Sequence, residues 1–200
     1  MKYYSQSGQD EWVNQFFNSK KKGFFIEVGA YDGIQTSNTY FFEKNLDWDG
    51  ICIEANPQIF QKLKVNRKSK NINLAVNDFK GECFFGGDKV TNQGTKVSCD
   101  TLNNILIQNS CPKIIDYLSL DIEGFEIVAL ESLDFDYFEI GLITVEHNSY
   151  LVGEDNKNKI FDLLTKKGFT RTNNDVVCED TNPLWYKKPY EDWYVNNKLL

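Results

Sequence analysis

The sequence predicts an α/β protein, a mostly parallel sheet with helices on both faces, and three observations carry that prediction. Short apolar runs of strand length alternate with longer amphipathic stretches of helix length, the pattern of βαβ units. Several of the apolar runs end in an acidic or polar cluster at a turn, as strands do where an open parallel sheet presents its carboxyl edge. The chain of 200 residues is long enough to bury about 70% of its unfolded surface around one core, so a single domain spanning residues 1–200 is expected.

The elements follow in order. Residues 8–19 suit a helix with Trp12, Phe16 and Phe17 on one stripe. The run Phe24-Phe25-Ile26-Glu27-Val28 is a strand, and Gly29-Ala30-Tyr31-Asp32-Gly33 is a tight loop at its end. A helical stretch at 38–44 leads to a second strand, Ile51-Cys52-Ile53-Glu54, and Pro57 opens a helix over 57–66. A short strand is expected at 72–76. Residues 81–99 alternate and contain glycines, which reads as an antiparallel excursion. Asp100 or Thr101 can cap a helix at 102–108. Strands at 117–120 and 142–145 flank a helix at 126–132. A last helix at 156–167 precedes a closing pair of strands at 169–173 and 184–187.

Composition excludes several classes. A net charge of −7 and a pI near 4.8 disfavour nucleic acid or an anionic membrane as the main partner. The run Lys20-Lys21-Lys22 is short and reads as a solvated helix end. The N-terminus lacks the apolar core of a signal peptide, and no apolar run reaches the roughly 20 residues of a membrane span. A cytoplasmic protein is expected. Five cysteines without a Cys-x-x-Cys pair, beside a single histidine, read as reduced thiols and leave no ligand set for structural zinc.

The acids around the first loop select the cofactor. Asp32 inside the turn would repel the phosphates of a dinucleotide or a nucleoside triphosphate, which need bare backbone N–H groups there. S-adenosylmethionine carries a sulfonium and an ammonium instead, and an acidic loop suits both. Glu54, at the end of the second strand, can accept hydrogen bonds from two ribose hydroxyls. Two further strand ends carry chemistry. In Leu120-Asp121-Ile122-Glu123 the two acids stand at i and i+2 and share a side. Val145-Glu146-His147-Asn148 ends the next strand with an acid, the only imidazole and an amide.

These residues resemble the FkbM-type S-adenosylmethionine-dependent methyltransferases. The resemblance is carried by Ser5-Gln6-x-Gly8-Gln9-Asp10, by Phe25-Ile26-Glu27-Val28-Gly29-Ala30-x-Asp32-Gly33 and Ser37-Asn38-Thr39, and by Trp48-x-Gly50-x-x-x-Glu54-x-Asn56-Pro57. Ser119-Leu120-Asp121-Ile122-Glu123-Gly124-x-Glu126 and Val145-Glu146-His147-Asn148 complete it. It implies a Rossmann-like class I methyltransferase fold with a mostly parallel seven-stranded sheet and an antiparallel C-terminal strand. It also implies O-methylation of a hydroxyl on a sugar, a glycan or a glycosylated small molecule. Glu27, Gly29, Ala30, Asp32, Ser37, Asn38, Glu54, Ala55 and Asp121 are then the expected cofactor contacts, with Asp32 near the amino-acid end.

An alcohol is a poor nucleophile at neutral pH, so a base or an acidifying metal is expected beside it. Asp121 is the leading candidate, with His147 and Glu146 next; Asp121, Glu123 and Glu146 would suit a hard cation such as Mg²⁺ or another divalent ion. A glycosyltransferase, fused or separate, is compatible with such an acceptor. Two other readings stay open: a nicotinamide-dependent oxidoreductase, which lacks its Gly-x-Gly-x-x-Gly here, and a non-catalytic cofactor-binding module.

Overall fold

The computed structural model describes residues 1–87, 89–178 and 186–200. Its main sheet has seven strands: β1 (Phe24–Val28), β2 (Asp49–Ile53), β3 (Lys70–Ile72), β8 (Ile114–Leu120), β9 (Glu139–Glu146), β10 (Phe169–Val177) and β11 (Pro189–Asn196). Their spatial order is β10-β11-β9-β8-β1-β2-β3. Pairing is parallel from β3 through to β9, and β11 inserts antiparallel between β9 and β10. The order reverses at the β1–β8 pair, so the switch point, where ligands sit in open α/β sheets, lies at the ends of those two strands.

Alternation along the strands sorts the core into two layers. Ile26, Val28, Ile51, Ile53, Leu118, Leu120, Ile143 and Val145 face one side, beneath α4 (Leu102–Gln108), α5 (Glu126–Ser132) and α7 (Asp155–Lys166). Phe25, Cys52, Tyr117, Leu142 and Val195 face the other, beneath α1 (Gln9–Phe16), α2 (Tyr40–Leu46) and α3 (Pro57–Asn66). A short α6 (Ser149–Val152) follows β9. Near the carboxyl edge the second face turns polar: Glu27, Ser119 and Thr144 sit in one register row. Among the described residues no helix is long and apolar enough to cross a membrane.

Residues 81–99 do form an antiparallel unit. β5 (Gly81–Gly86), β6 (Lys89–Thr91) and β7 (Thr95–Asp100) join β4 (Ala75–Val76) in a second sheet of order β4-β7-β5-β6. The strand expected at 72–76 is therefore split between the two sheets. Asn73 makes the break: its amide donates to the carbonyls of Glu54 (2.7 Å) and Ala55 (3.1 Å), which turns the chain away from β2. Thr101, rather than Asp100, caps α4, its hydroxyl accepting from Asn104 N–H at 3.2 Å.

The closing strand is also displaced from its expected place at 184–187. Residues 184 and 185 lie outside the described residues, Tyr186 forms only an isolated bridge to Cys178, and the strand itself is Pro189–Asn196. Six central residues of that strand, Tyr190 to Val195, are buried. Three of them are Tyr190, Glu191 and Asp192, whose polar atoms obscured the strand in the sequence.

Candidate active site

Three hollows that share Gly29 and Asp121 open at the switch point. The largest is an open cleft of about 440 Å³ bounded by Tyr31, Gln35, Glu54, Asn56, Phe85, Asp121 and Glu123. Beside it an apolar slot is walled by Ile53, Ala55, Val76, Phe85, Val90 and Phe125. A narrow polar hollow runs inward between Glu27, Ser37, Asn38 and Ser119.

Gly29 makes this junction possible. Its φ is +85°, and a Cβ there would lie 1.7 Å from the carbonyl oxygen of Asp121. Only glycine allows the first loop and the β8 end to approach so closely. Glu54 is buried, and its carboxylate accepts backbone N–H groups of Tyr31 (2.9 Å) and Asn56 (2.6 Å). Burial pushes its carboxyl above the usual range in spite of those two donors. The arrangement fixes an acceptor at the cleft wall, where it was expected.

Glu27 borders the narrow hollow and also anchors the loop beside it. Its carboxylate receives the Ser37 hydroxyl (2.9 Å), Asn38 N–H (2.7 Å), the Thr39 hydroxyl (2.7 Å) and the Arg67 guanidinium (3.0 Å). A buried charge so paired holds the loop 37–39 against β1. Asn38 donates to Ser119 Oγ at 2.9 Å, while its own buried Oδ1 has no hydrogen-bond partner. That carbonyl oxygen, at the narrow hollow, is an acceptor in want of a donor. Asp32 does not line any of the three hollows. Its Oδ1 accepts Ile34 N–H (2.9 Å) and Gln35 N–H (2.8 Å), so it caps its own turn. Ala30 borders the narrow hollow and Ala55 the apolar slot.

The acids of β8 and β9 do converge. Asp121, Glu123 and Glu146 each offer a carboxylate oxygen within 4.8 Å of the others. Glu146 is 6% exposed, and its Oε2 has no hydrogen-bond partner. Burial, with the charges of Asp121 and Glu123 added, holds its carboxyl well above the usual range. Asn148 donates to Glu123 Oε2 at 3.3 Å. The donor set, all carboxylate oxygen, fits a hard divalent cation better than zinc.

His147 does not join them. Successive residues of a strand point to opposite faces, so with Glu146 turned toward the cleft, His147 turns away. Its Nε2 lies 3.5 Å from Asp192 Oδ1, and its Nδ1 accepts Ser149 N–H at 3.1 Å. Asp192 also takes Arg171 at 2.9 Å, and Asp175 pairs with Lys157. The expected histidine base thus stands beside Asp192 under the other layer, where Arg171 and Lys157 already pair with the neighbouring carboxylates.

Sequence reasoning missed three groups. Glu126 is buried and accepts Ile122 N–H (2.9 Å) and Gly124 N–H (3.0 Å). It thereby pins the turn in which Glu123 has φ +55° and Gly124 φ +107°; burial raises its carboxyl to about 7. Its place in Glu123-Gly124-x-Glu126 was a signal, without a role attached. Glu191 stands opposite Glu146 in register, accepts Gln9 Nε2 at 3.0 Å, and is raised by burial to about 8. The apolar wall of Val76, Phe85 and Val90 comes from the second sheet and carries no sequence signature.

Comparison with known proteins agrees with this geometry. Among curated proteins none matches the sequence at a significant level. An O-methyltransferase from Bacillus cereus, solved in complex with SAH, superposes with a TM-score of 0.58 at 11% identity, covering 94% of this chain and 80% of that one. A putative O-methyltransferase from Klebsiella pneumoniae gives 0.56 at 12% identity, covering 95% and 80%. Aeropyrum pernix fibrillarin with natively bound S-adenosyl-L-methionine gives 0.53 at 13%, covering 88% and 68%. These likenesses establish the class I methyltransferase fold. The family described as "Methyltransferase FkbM domain" matches residues 27–86 and 84–170, a span that takes in every strand end of the site but that of β11. The chain belongs to the FkbM family of S-adenosylmethionine-dependent methyltransferases.

Proposed function

We propose that the protein transfers the methyl group of S-adenosylmethionine to a hydroxyl oxygen of a sugar or glycan, free or attached to a small molecule. The observation that carries the reading is the convergence of Asp121, Glu123 and Glu146 at the cleft, beside Glu54 and the narrow hollow. In this reading Glu54 accepts the ribose hydroxyls, the apolar slot takes the adenine, and the unpartnered Asn38 Oδ1 accepts the ammonium of the methionine end. Two of the structural neighbours are named as O-methyltransferases, which favours oxygen as the acceptor atom.

The reaction is an in-line displacement. A lone pair of the hydroxyl oxygen forms the new O–C bond as the C–S bond breaks, and its electron pair returns to sulfur, leaving neutral S-adenosylhomocysteine. The hydroxyl proton passes to Asp121. Alignment supplies much of the rate, since the sulfonium is already activated, and a positioned base typically adds 10²–10⁴-fold. Asp121, Glu123 and Glu146 would also hold Mg²⁺ or Mn²⁺, which would acidify the hydroxyl when bound. A glycosyltransferase would be the reaction class that supplies such an acceptor.

Mass spectrometry of a sugar panel incubated with the protein and S-adenosylmethionine tests the reading. One added methyl on a sugar that survives mild alkali, which hydrolyses methyl esters and leaves methyl ethers intact, supports it. Methylation confined to amines or carboxylates overturns it. A chelator that abolishes turnover, with recovery on adding Mg²⁺, supports the ion; full activity in EDTA removes it.

A further inference from the structure

The motif Ser5-Gln6-x-Gly8-Gln9-Asp10 lines none of the three hollows, yet it is tied to both sides of them. Asp10 accepts the Ser5 hydroxyl (2.5 Å) and Tyr4 N–H (2.7 Å), and Gly8, at φ +84°, turns the chain into α1. The segment so held straps two parts of the carboxyl edge together. At one end Ser5 bridges Thr36, which borders both the cleft and the narrow hollow. At the other, Ser7 Oγ donates to the Val177 carbonyl (3.1 Å) and accepts from the Tyr190 hydroxyl (2.9 Å), at the ends of β10 and β11. Gln9 is 1% exposed and its amide is fully engaged: Oε1 accepts Ser7 N–H (2.8 Å), and Nε2 donates to Tyr190 Oη (3.0 Å) and Glu191 Oε2 (3.0 Å).

Glu191 is the partner that matters. It faces Glu146 across the β9–β11 pair, and facing side chains of an antiparallel pair stand about 5 Å apart at Cβ on one side of the sheet. Two buried acids in that position bind each other through a shared proton unless other donors hold them. Both oxygens of Glu191 are held, Oε1 by the Trp193 indole N–H and Oε2 by Gln9. Trp193 is itself stacked on Trp12 of α1, ring centroids 4.9 Å apart. Glu146 is thereby left to converge on Asp121 and Glu123, with its Oε2 buried and without a hydrogen-bond partner. A buried acceptor in that state is completed by a donor from a ligand.

Resting on the reading of methyl transfer at this cluster, we infer that Gln9 is a positioning residue for the reaction. It holds Glu191 off Glu146, so that Glu146 Oε2 stays open to the acceptor hydroxyl. Gln9 acts through Glu191 alone and touches neither cofactor nor acceptor.

Gln9→Met keeps the volume and removes the donor. On protein that binds a full equivalent of S-adenosylmethionine, single-turnover methyl transfer should slow at least about 10-fold, with cofactor affinity within about twofold of the parent. Gln9→Met/Glu191→Met takes away the intruding acid and should recover most of the parental rate. A hydrogen bond of purely structural value would leave the double variant as slow as the single one, or slower. A crystal structure of Gln9→Met should show Glu191 turned onto Glu146 Oε2. Should Gln9→Met not fold, Gln9→Asn, whose shorter amide falls short of Glu191, replaces it throughout. A parental rate in the single variant, a double variant no faster than the single, or Glu191 unmoved in the variant structure overturns the inference. If the parent methylates an amine or a carboxylate and no sugar, the sugar reading falls and the same comparison runs on that acceptor. If it methylates nothing, the position of Glu191 in the variant structure decides alone.

Discussion

Replacing Arg67 with methionine should separate the support of the cofactor site from the site itself. Arg67 is 4% exposed and donates to Glu27 (3.0 Å), Glu43 (3.1 Å) and Thr39 Oγ1 (2.8 Å). It also reaches Ser37 Oγ at 3.2 Å and the Gly33 carbonyl at 3.3 Å. Methionine fills much of the same volume but leaves the Glu27 carboxylate buried without its cation. Removing one partner of a buried pair costs about 3–5 kcal/mol, and a chain of this length loses about 2–4 °C of Tm per kcal/mol. The expected fall in Tm is therefore about 6–20 °C by calorimetry. Affinity for S-adenosylmethionine should weaken as well, because the loop that Glu27 and Arg67 anchor carries Ser37 and Asn38 into the narrow hollow. Adding Glu27→Gln to Arg67→Met removes the stranded charge and should recover part of the lost Tm. A single variant within about 2 °C of the parent, or a double variant no better than the single, refutes the reasoning.

Glu54→Ala removes a fixed acceptor for two hydroxyls, and titration calorimetry should show S-adenosylmethionine affinity reduced by about 1.5–3 kcal/mol; unchanged affinity would place the ribose elsewhere. The pH dependence of stability follows from Glu191, raised by burial to about 8 from an ordinary 4.5. Between those values the folded state holds a proton that the unfolded state has released, so this group's contribution is complete below about pH 4.5 and is lost as pH rises toward 8. Urea denaturation across that window should show stability declining, and Glu191→Gln should flatten the decline; a profile identical in both proteins contradicts the assignment.

Much of this was legible because short-range physics decided it. β1, α3 and α5 declare themselves through an apolar run, an Asn-Pro start whose Asn56 side chain accepts the N–H groups of Gln58 and Ile59, and a compact amphipathic repeat. The i, i+2 spacing placed Asp121 beside Glu123, and the end of the neighbouring strand placed Glu146 opposite. What failed depended on long-range packing. The sequence shows Glu146 and His147 as one cluster, yet the pleat sends them to opposite faces, and only the pairing of β9 with β11 shows that Asp192 receives the histidine. Asn73 redirects a strand through contacts that no local pattern announces. Asp32 looks like a ligand group in the sequence, and in the structure its Oδ1 accepts the N–H groups of its own turn, a role that Asp fills equally well at that position.

The central claim is that methyl transfer occurs at Asp121, on the cleft face of the sheet, and that His147 on the other face takes no part. Single-turnover rates at saturating cofactor and acceptor test it most directly, comparing the parent with Asp121→Asn and His147→Ala. The account predicts a loss of at least about 10²-fold for Asp121→Asn with cofactor affinity little changed, and a rate within a few-fold of the parent for folded His147→Ala. Parental rates in Asp121→Asn, or an equal loss in His147→Ala, would contradict it.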